Sequence, residues 1–335
     1  MRAGLGFEHQ EQGGRRIADT PGIAGWPPPA LNPAGPFADS INTVSWAMIA
    51  MAVVVTALTM LALGLALFGP RRWRKALGGS KLVWIGGLAV PVVVLSALLV
   101  WGLILTAHLE KPSGAGEMRV RVSGEMWWWR IAYLDAAGDE QFADANEVHI
   151  PTGAPVTFEL ESADVIHSFW VPRLGGKKDM IPGRRNTLRL QADEPGVYGG
   201  QCAEYCGGPH ALMGLVVVAH DPAEFAAWRA RNARDALSFA ATPQAARGAQ
   251  VFETAGCAAC HAVRGTAANG LAGPDLTHVG SRRTLGAGIL PNSSDAMARW
   301  IADAQAIKPG NRMPSYRTLS PNDVQAVSAY LGALK

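Results

Sequence analysis

The polarity pattern changes period three times along the chain. From about Val44 to Phe68, and again from about Leu82 to Thr106, nearly every position is apolar, broken in the first run only by Ser45 and two threonines. A hydrocarbon core of ~30 Å takes about 20 helical residues to cross, so both runs predict membrane-spanning helices. Neither has the polar stripe of an amphipathic helix, which weighs against two buried core helices. From about Gly116 to His220 the pattern shortens to alternating runs bounded by Gly, Pro and Asp. Met118–Val122, Pro155–Leu160 and Leu212–Val218 are examples. They predict the strands of an antiparallel β-sandwich or barrel large enough to bury its own core.

From about Gln244 the period becomes helical. Ser294–Ala306 puts Met297, Trp300 and Ile301 on one face, and Asp323–Leu334 reads as a terminal helix. The stretch 221–243 reads as a connector with a helix through Glu224–Trp228. The first 40 residues are rich in Pro and Gly and have no apolar run of their own. They predict a flexible exported tail, with the first membrane helix as its insertion signal. The expected organisation is multidomain: a tail over 1–40, a helical hairpin over 41–110, a β-domain over 116–220, the connector, and a helical domain over 244–335.

Charge refines this picture. Only 17% of residues are charged while 49% are hydrophobic, as membrane segments require. A net charge of +3, with no basic run interleaved with aromatics, argues against nucleic acid as a partner. Between the two apolar runs stand Arg71, Arg72, Arg74, Lys75 and Lys81 with no acid among them. That loop is expected in the cytoplasm, which puts the N-terminus and both C-terminal domains on the outer, periplasmic side. The β-domain holds 14 acidic and 9 basic side chains, and the stretch 245–335 holds 5 and 9. Oppositely charged domains on one short tether are expected to dock.

Four cysteines fall in two close pairs, which suits ligand or attachment sites better than a disulfide framework. Cys202 and Cys206 are followed by Gly207, Gly208, Pro209, His210 and Met213. Thiolate, imidazole and thioether together favour copper over hard cations, and the turn-forming residues let His210 and Met213 curl back to the cysteines. His167 follows an apparent strand and is a second imidazole for the set. A zinc site or a Cys202–Cys206 disulfide remains open on these residues alone. In the second pair, Cys257-Ala258-Ala259-Cys260-His261 has the spacing of covalent c-type haem attachment: two thiols for the two vinyl groups and His261 as proximal iron ligand. A redox dithiol is the alternative. Met313, Met297 and His278 are candidates for the distal iron ligand.

The segment 201–214, Gln-Cys-Ala-Glu-Tyr-Cys-Gly-Gly-Pro-His-Ala-Leu-Met-Gly, closely resembles the dinuclear copper (CuA) motif of cytochrome c oxidase subunit II. Similar blocks are Asp164–Pro172, Lys177–Asn186 and the run Trp127-Trp128-Trp129, and the two-helix anchor fits as well. The resemblance covers most of the chain after about residue 31. It implies a cupredoxin-like sandwich in which Cys202 and Cys206 bridge two coppers and His167 and His210 cap them. Met213 would be a weak ligand, and Glu204 would contribute its backbone carbonyl. The Glu204 carboxylate would help hold magnesium at the interface with subunit I, and Trp127 would be the electron-accepting tryptophan. The C-terminal part resembles class I, all-α cytochromes c, which favours Met313 as the distal ligand.

The implied activity is that of cytochrome-c oxidase. This chain would accept electrons at a covalent haem c and pass them through CuA to the haem of subunit I, where oxygen becomes water. Implied partners are subunit I with its haem and CuB, subunit III, and a soluble or membrane cytochrome c or other donor. Two positions depart from the family pattern. Met126 stands where glutamine is usual before the tryptophans, and the second apolar run lacks the carboxylate that many members link to proton uptake. Competing readings are a copper domain serving another terminal reductase, such as nitrous oxide or nitric oxide reductase, and a stand-alone membrane-anchored electron carrier.

Overall fold

The computed structural model describes residues 29–110, 114, 116–236 and 242–335. Residues 1–28 of the expected tail lie outside the described residues. Helix α1 (Pro36–Phe68) and helix α3 (Ser80–Leu109) are the two candidate spans, and short α2 (Arg71–Leu77) carries the basic loop between them. At 1.5 Å per residue, 33 and 30 residues reach about 50 and 45 Å, well beyond a hydrocarbon core. Most of the large apolar side chains left exposed lie on these two helices, the distribution that a lipid environment accommodates.

The surplus length of α1 corrects one expectation. Residues 32–38 are not a free tail but are seated on the β-domain. The Ala34 N–H donates to Arg173 O, its carbonyl accepts from Asp193 N–H, and Arg173 Nε donates to Asn32 O. Ala38 is buried and the Phe37 ring lies under the Arg189 guanidinium. Gly35 allows the close approach, since a Cβ there would lie 1.9 Å from Gln191 O. At the other span, Lys178 Nζ bonds Glu110 at 2.8 Å, just past the end of α3.

The β-domain is the expected two-layer sandwich. Its strands are β1 (Met118–Glu125), β2 (Trp128–Leu134), β3 (Glu140–Ala145), β4 (Glu147–Pro151), β5 (Val156–Ser162), β6 (His167–Trp170), β7 (Lys178–Met180), β8 (Asn186–Leu190), β9 (Gly196–Cys202) and β10 (Gly214–His220). One sheet runs β3-β2-β1-β5-β8 and the other β4-β10-β9-β6-β7. The sheets are not purely antiparallel: β1 pairs with β5, and β4 with β10, in parallel. Alternation along a strand reports which face is buried and says nothing about a neighbour's direction, so the sequence could not reveal this. Val120, Val122, Ile131, Phe158, Leu160 and Phe169 fill the space between the layers.

Helix α4 (Pro222–Asn232) occupies about half of the expected connector and belongs to the sandwich. Its Phe225 and Trp228 are buried with Tyr133 and Phe142. The C-terminal domain holds α5 (Pro243–Thr254), α6 (Ser294–Ile307) and α7 (Pro321–Ala333), with a two-residue hairpin of Thr284–Leu285 against Leu290–Pro291. Helix α5 crosses α7 at Gly248, where a Cβ would stand 2.0 Å from Ala326 O. Only a glycine allows the backbones so close.

Candidate redox centres

The first cluster forms because two strands and one loop converge. Strand β9 ends at Cys202 and β10 begins at Gly214, and Gly214 pairs with Gln201. The eleven-residue excursion between them is closed at its base by Cys202 N–H donating to Met213 O at 2.9 Å. Strand β6 lies beside β9 with Phe169 opposite Cys202, which brings His167 to the same end. The imidazole packs over Gly124, where any Cβ would come within 2.7 Å of its Cδ2.

Every side chain expected at the copper centre is gathered there. The sulfurs of Cys202 and Cys206 are 3.7 Å apart, so the two cysteines are free thiols and not a disulfide. His167 Nδ1 is 3.8 Å from Cys202 Sγ and His210 Nδ1 is 3.4 Å from Cys206 Sγ. Met213 Sδ lies 3.8 Å from Cys206 Sγ, and the Glu204 carbonyl 3.2 Å from Cys202 Sγ. The Glu204 carboxylate points elsewhere, 3.7 Å from Lys177 Nζ and half-exposed.

Electrostatics agree with a cation site. The Cys206 S–H, the buried surroundings and the His167 ring act together on Cys202, and the net result holds its thiol far below the ordinary range. That thiolate in turn pushes Cys206 far up. A second thiolate this close to the first would need positive charge between them, which a soft metal supplies. Asp164 Oδ1 accepts from His167 Nε2 at 2.9 Å, so Nδ1 is the nitrogen turned toward the sulfurs. Asp164 also accepts from the N–H groups of Met126 and Val165, each at 2.8 Å.

The second centre lies in the C-terminal domain. Cys257 and Cys260 flank a single 3-10 turn, free and partly open to solvent. His261 is half-buried, and burial pushes its imidazole down, favouring the neutral ring. Its Nδ1–H donates to Pro274 O at 2.8 Å, which leaves Nε2 bare for a metal. Gly273 sits against the ring, where a Cβ would approach Cε1 to 2.7 Å. Met313 stands half-buried in a turn held by Gln305 Nε2, which donates to its carbonyl, and by Asn311 Oδ1, which accepts its N–H. Three residues on, Tyr316 packs against the same core cluster as Cys257. Met297 is core, buried beside Phe252 and Tyr330. His278 is engaged by Arg234 O at 3.1 Å and is thus committed to the connector.

The two domains are docked, as their opposite charges predict. Arg282 pairs with Asp144 at 2.7 Å, both nearly buried, and Arg312 pairs with Asp164 at 3.2 Å. Glu147 Oε2 accepts the Arg283 N–H, Ala287 O accepts the Gly214 N–H, and Leu271 O accepts from Arg130. Lys308, at the C-terminal end of α6, crosses into the copper loop. Its Nζ donates to Trp127 O at 2.7 Å, Leu212 O at 2.8 Å and Gly286 O at 3.1 Å. Trp127 in turn donates its indole N–H to Cys206 O at 2.8 Å. Nothing in the sequence singled out Lys308; a lysine at a helix C-terminus ordinarily faces water and favours the dipole there.

Comparison with known proteins follows the same division. Residues 133–220 match the family model for the periplasmic domain of cytochrome c oxidase subunit II, and residues 245–335 match that for cytochrome c. Cytochrome c oxidase subunit 2 of Alkalihalophilus pseudofirmus is 37% identical over 317 residues, 91% of this chain and 90% of that protein. The chain belongs to the cytochrome c oxidase subunit II family. Subunit 2 of Bacillus subtilis is 31% identical over 78% of this chain and 77% of its own length. A solved periplasmic domain of subunit II from Bradyrhizobium japonicum is 30% identical, covers 36% of this chain and 95% of that one, and superposes with a TM-score of 0.33.

The chain is therefore subunit II of a haem–copper oxidase with a cytochrome c domain, part of an oxidoreductase complex with other oxidase subunits. Its two apolar helices and periplasmic-domain family mark a bacterial membrane protein with an extracellular domain. The cytochrome c domain implies a haem c and the subunit II domain a CuA centre, and the cluster of His167, Cys202 and Cys206 fits the latter.

Proposed function

We propose that this chain accepts electrons on its cytochrome c domain and delivers them through its copper domain to subunit I. The observation that carries this reading is the docked arrangement, in which one residue of the cytochrome domain grips the carbonyl of Trp127 while that indole bonds the carbonyl of Cys206. When bound, the haem iron and the copper pair supply reversible one-electron chemistry. The protein's part is attachment, orientation and exclusion of water. Cys257 and Cys260 would hold the haem by thioether bonds, with His261 and Met313 as ligands to its iron. Cys202, Cys206, His167 and His210 would hold the coppers, and Met213 and the Glu204 carbonyl would complete the set. Asp164 keeps the His167 ring in its metal-binding tautomer.

The finer assignments extend from there. Trp127 serves as the electron-accepting tryptophan of the copper domain. The Glu204 carboxylate would share a magnesium ion with subunit I, beside which subunit III would assemble. The basic loop around α2 is cytoplasmic and both C-terminal domains are periplasmic. The donor is a soluble or membrane cytochrome c or another one-electron carrier. The working units are the hairpin, the copper domain over 116–220 and the cytochrome domain over 244–335, the connector between the last two contributing α4 to the sandwich.

Metal analysis and near-infrared absorption of the unaltered chain and Cys206→Ser test the reading. Two coppers and one covalent haem are expected in the first, and loss of copper alone in the second. A variant that keeps its copper, or loses haem with it, refutes the assignment.

A further inference from the structure

Lys308 stands out because its surroundings suit neither an ordinary surface lysine nor an ordinary ion pair. It is 2% exposed, and among the described residues no carboxylate pairs with it. An ammonium has three N–H donors and no acceptor, and each donor here meets a different main-chain carbonyl. Two of those carbonyls, at Trp127 and Leu212, belong to the copper domain. The third, at Gly286, belongs to the turn of the cytochrome domain's own hairpin. Leu212 immediately precedes Met213, and Trp127 is bonded to Cys206, so the ammonium meets the copper loop directly at Leu212 and through Trp127 at Cys206.

The Arg312–Asp164 contact across the same interface is of a different kind. Arg312 is largely exposed where it meets Asp164, and such a pair tolerates sliding and is screened by salt. Three carbonyl oxygens converging on one buried nitrogen define a single position. A displacement of about 1 Å breaks hydrogen bonds whose acceptors have no water to replace them.

We propose that Lys308 is the positioning residue that locks the cytochrome domain onto the copper domain at Trp127, its ammonium seated in the three-carbonyl socket of Trp127, Leu212 and Gly286. The proposal deepens the electron-delivery reading and rests on it for its purpose, though not for its geometry. Without the ammonium, the three carbonyls can be satisfied only by water, and water enters only when the domains part. The lock would therefore convert a docking search into a standing contact.

The full chain in detergent, loaded with copper and haem, provides the test. Lys308→Met keeps the length of the stem and removes the donors. Lys308→Gln, which retains a two-donor amide, is the second variant in case the first folds poorly. Arg312→Gln is the control for a rim contact. Hydrogen exchange at the Gly214 and Arg283 amides reads domain opening directly, because both donate across the interface. Orphaning buried carbonyls predicts at least about a tenfold loss of protection at these two amides in Lys308→Met. A smaller loss is expected in Lys308→Gln and less than about twofold in Arg312→Gln. In parallel, the rate at which copper is reduced after flash reduction of the haem should become viscosity-dependent in the Lys308 variants, with both absorption spectra unchanged. Protection within about twofold of the unaltered chain in both Lys308 variants, or a rate indifferent to glycerol, overturns the proposal. If the unaltered chain itself shows no haem-to-copper transfer, the electron-delivery reading fails, while the exchange data still judge Lys308.

Discussion

Asp164 joins three parts of the molecule, and Asp164→Asn separates their contributions. Its carboxylate accepts from the His167 imidazole, from the Met126 and Val165 amides and from Arg312. An asparagine has one acceptor oxygen and one donor amide in the same space. If the oxygen keeps His167 and Val165, the new NH2 group faces the Met126 N–H and the Arg312 guanidinium, donor against donor. A buried amide left in that state costs about 1–3 kcal/mol. If the amide flips, it faces His167 Nε2, and the ring must move its proton to Nδ1, the nitrogen turned toward the sulfurs. That tautomer cannot bind metal through Nδ1. Either outcome weakens copper binding, and loss of such an outer partner typically costs 10–100-fold in metal affinity, or about 1.4–2.8 kcal/mol. Competition with a chelator, read by near-infrared absorption, measures this. Arg312→Gln should leave copper affinity unchanged, since it removes only the interdomain partner. Copper binding by Asp164→Asn within about twofold of the unaltered chain would refute the reasoning.

Three further outcomes test other parts of the structure. Gly248→Ala places a methyl against the Ala326 carbonyl and should destabilise the cytochrome domain by about 1–3 kcal/mol; an unchanged thermal midpoint followed by haem absorbance would count against the tight α5–α7 crossing. Arg282→Met leaves the Asp144 charge buried and unpaired and should cost about 3–5 kcal/mol, largely recovered by adding Asp144→Leu; failure of the double variant to recover would show that the pair acts through other contacts. Burial raises the Glu117 carboxyl, but bonds from Arg189, the Gly114 N–H and Thr157 outweigh it and hold it below the usual carboxylate range. Its folded value lies under its unfolded one, so its contribution is present at neutral pH and lost as pH falls through the folded value. The stability gap between the unaltered chain and Glu117→Gln should shrink as pH drops from about 5 toward about 3, and a gap that is constant with pH contradicts the assignment.

What the sequence made legible is what it encodes locally. The two spans announce themselves because lipid demands uninterrupted apolar side chains, and the copper loop because most of its ligands fall within twelve residues. The haem attachment motif is legible for the same reason. His167 is 35 residues from Cys202, outside the short motif, so the residues offered it as a second imidazole but only the resemblance gave it a defined role. The parallel pairing of β1 with β5 leaves no trace in alternation. Seating of residues 32–35 on the sandwich is largely main chain to main chain, which side-chain patterns do not record. Lys308 was hidden for a related reason, since all its partners are carbonyls and a carbonyl is present at every residue. Charge counts predicted that the domains would meet, and could not say where.

The packing of α4 into the sandwich sets a limit on where the cytochrome domain can work. With α4 fixed up to Asn232 and α5 starting at Pro243, about ten residues join the two domains. Even fully extended they reach only about 35 Å. A cytochrome domain on so short a leash serves the copper domain of its own polypeptide and has little access to that of another complex. Two defective alleles, one without copper ligands and one without the haem cysteines, should therefore fail to complement when expressed together. Selection would then act on both redox domains as a single heritable unit.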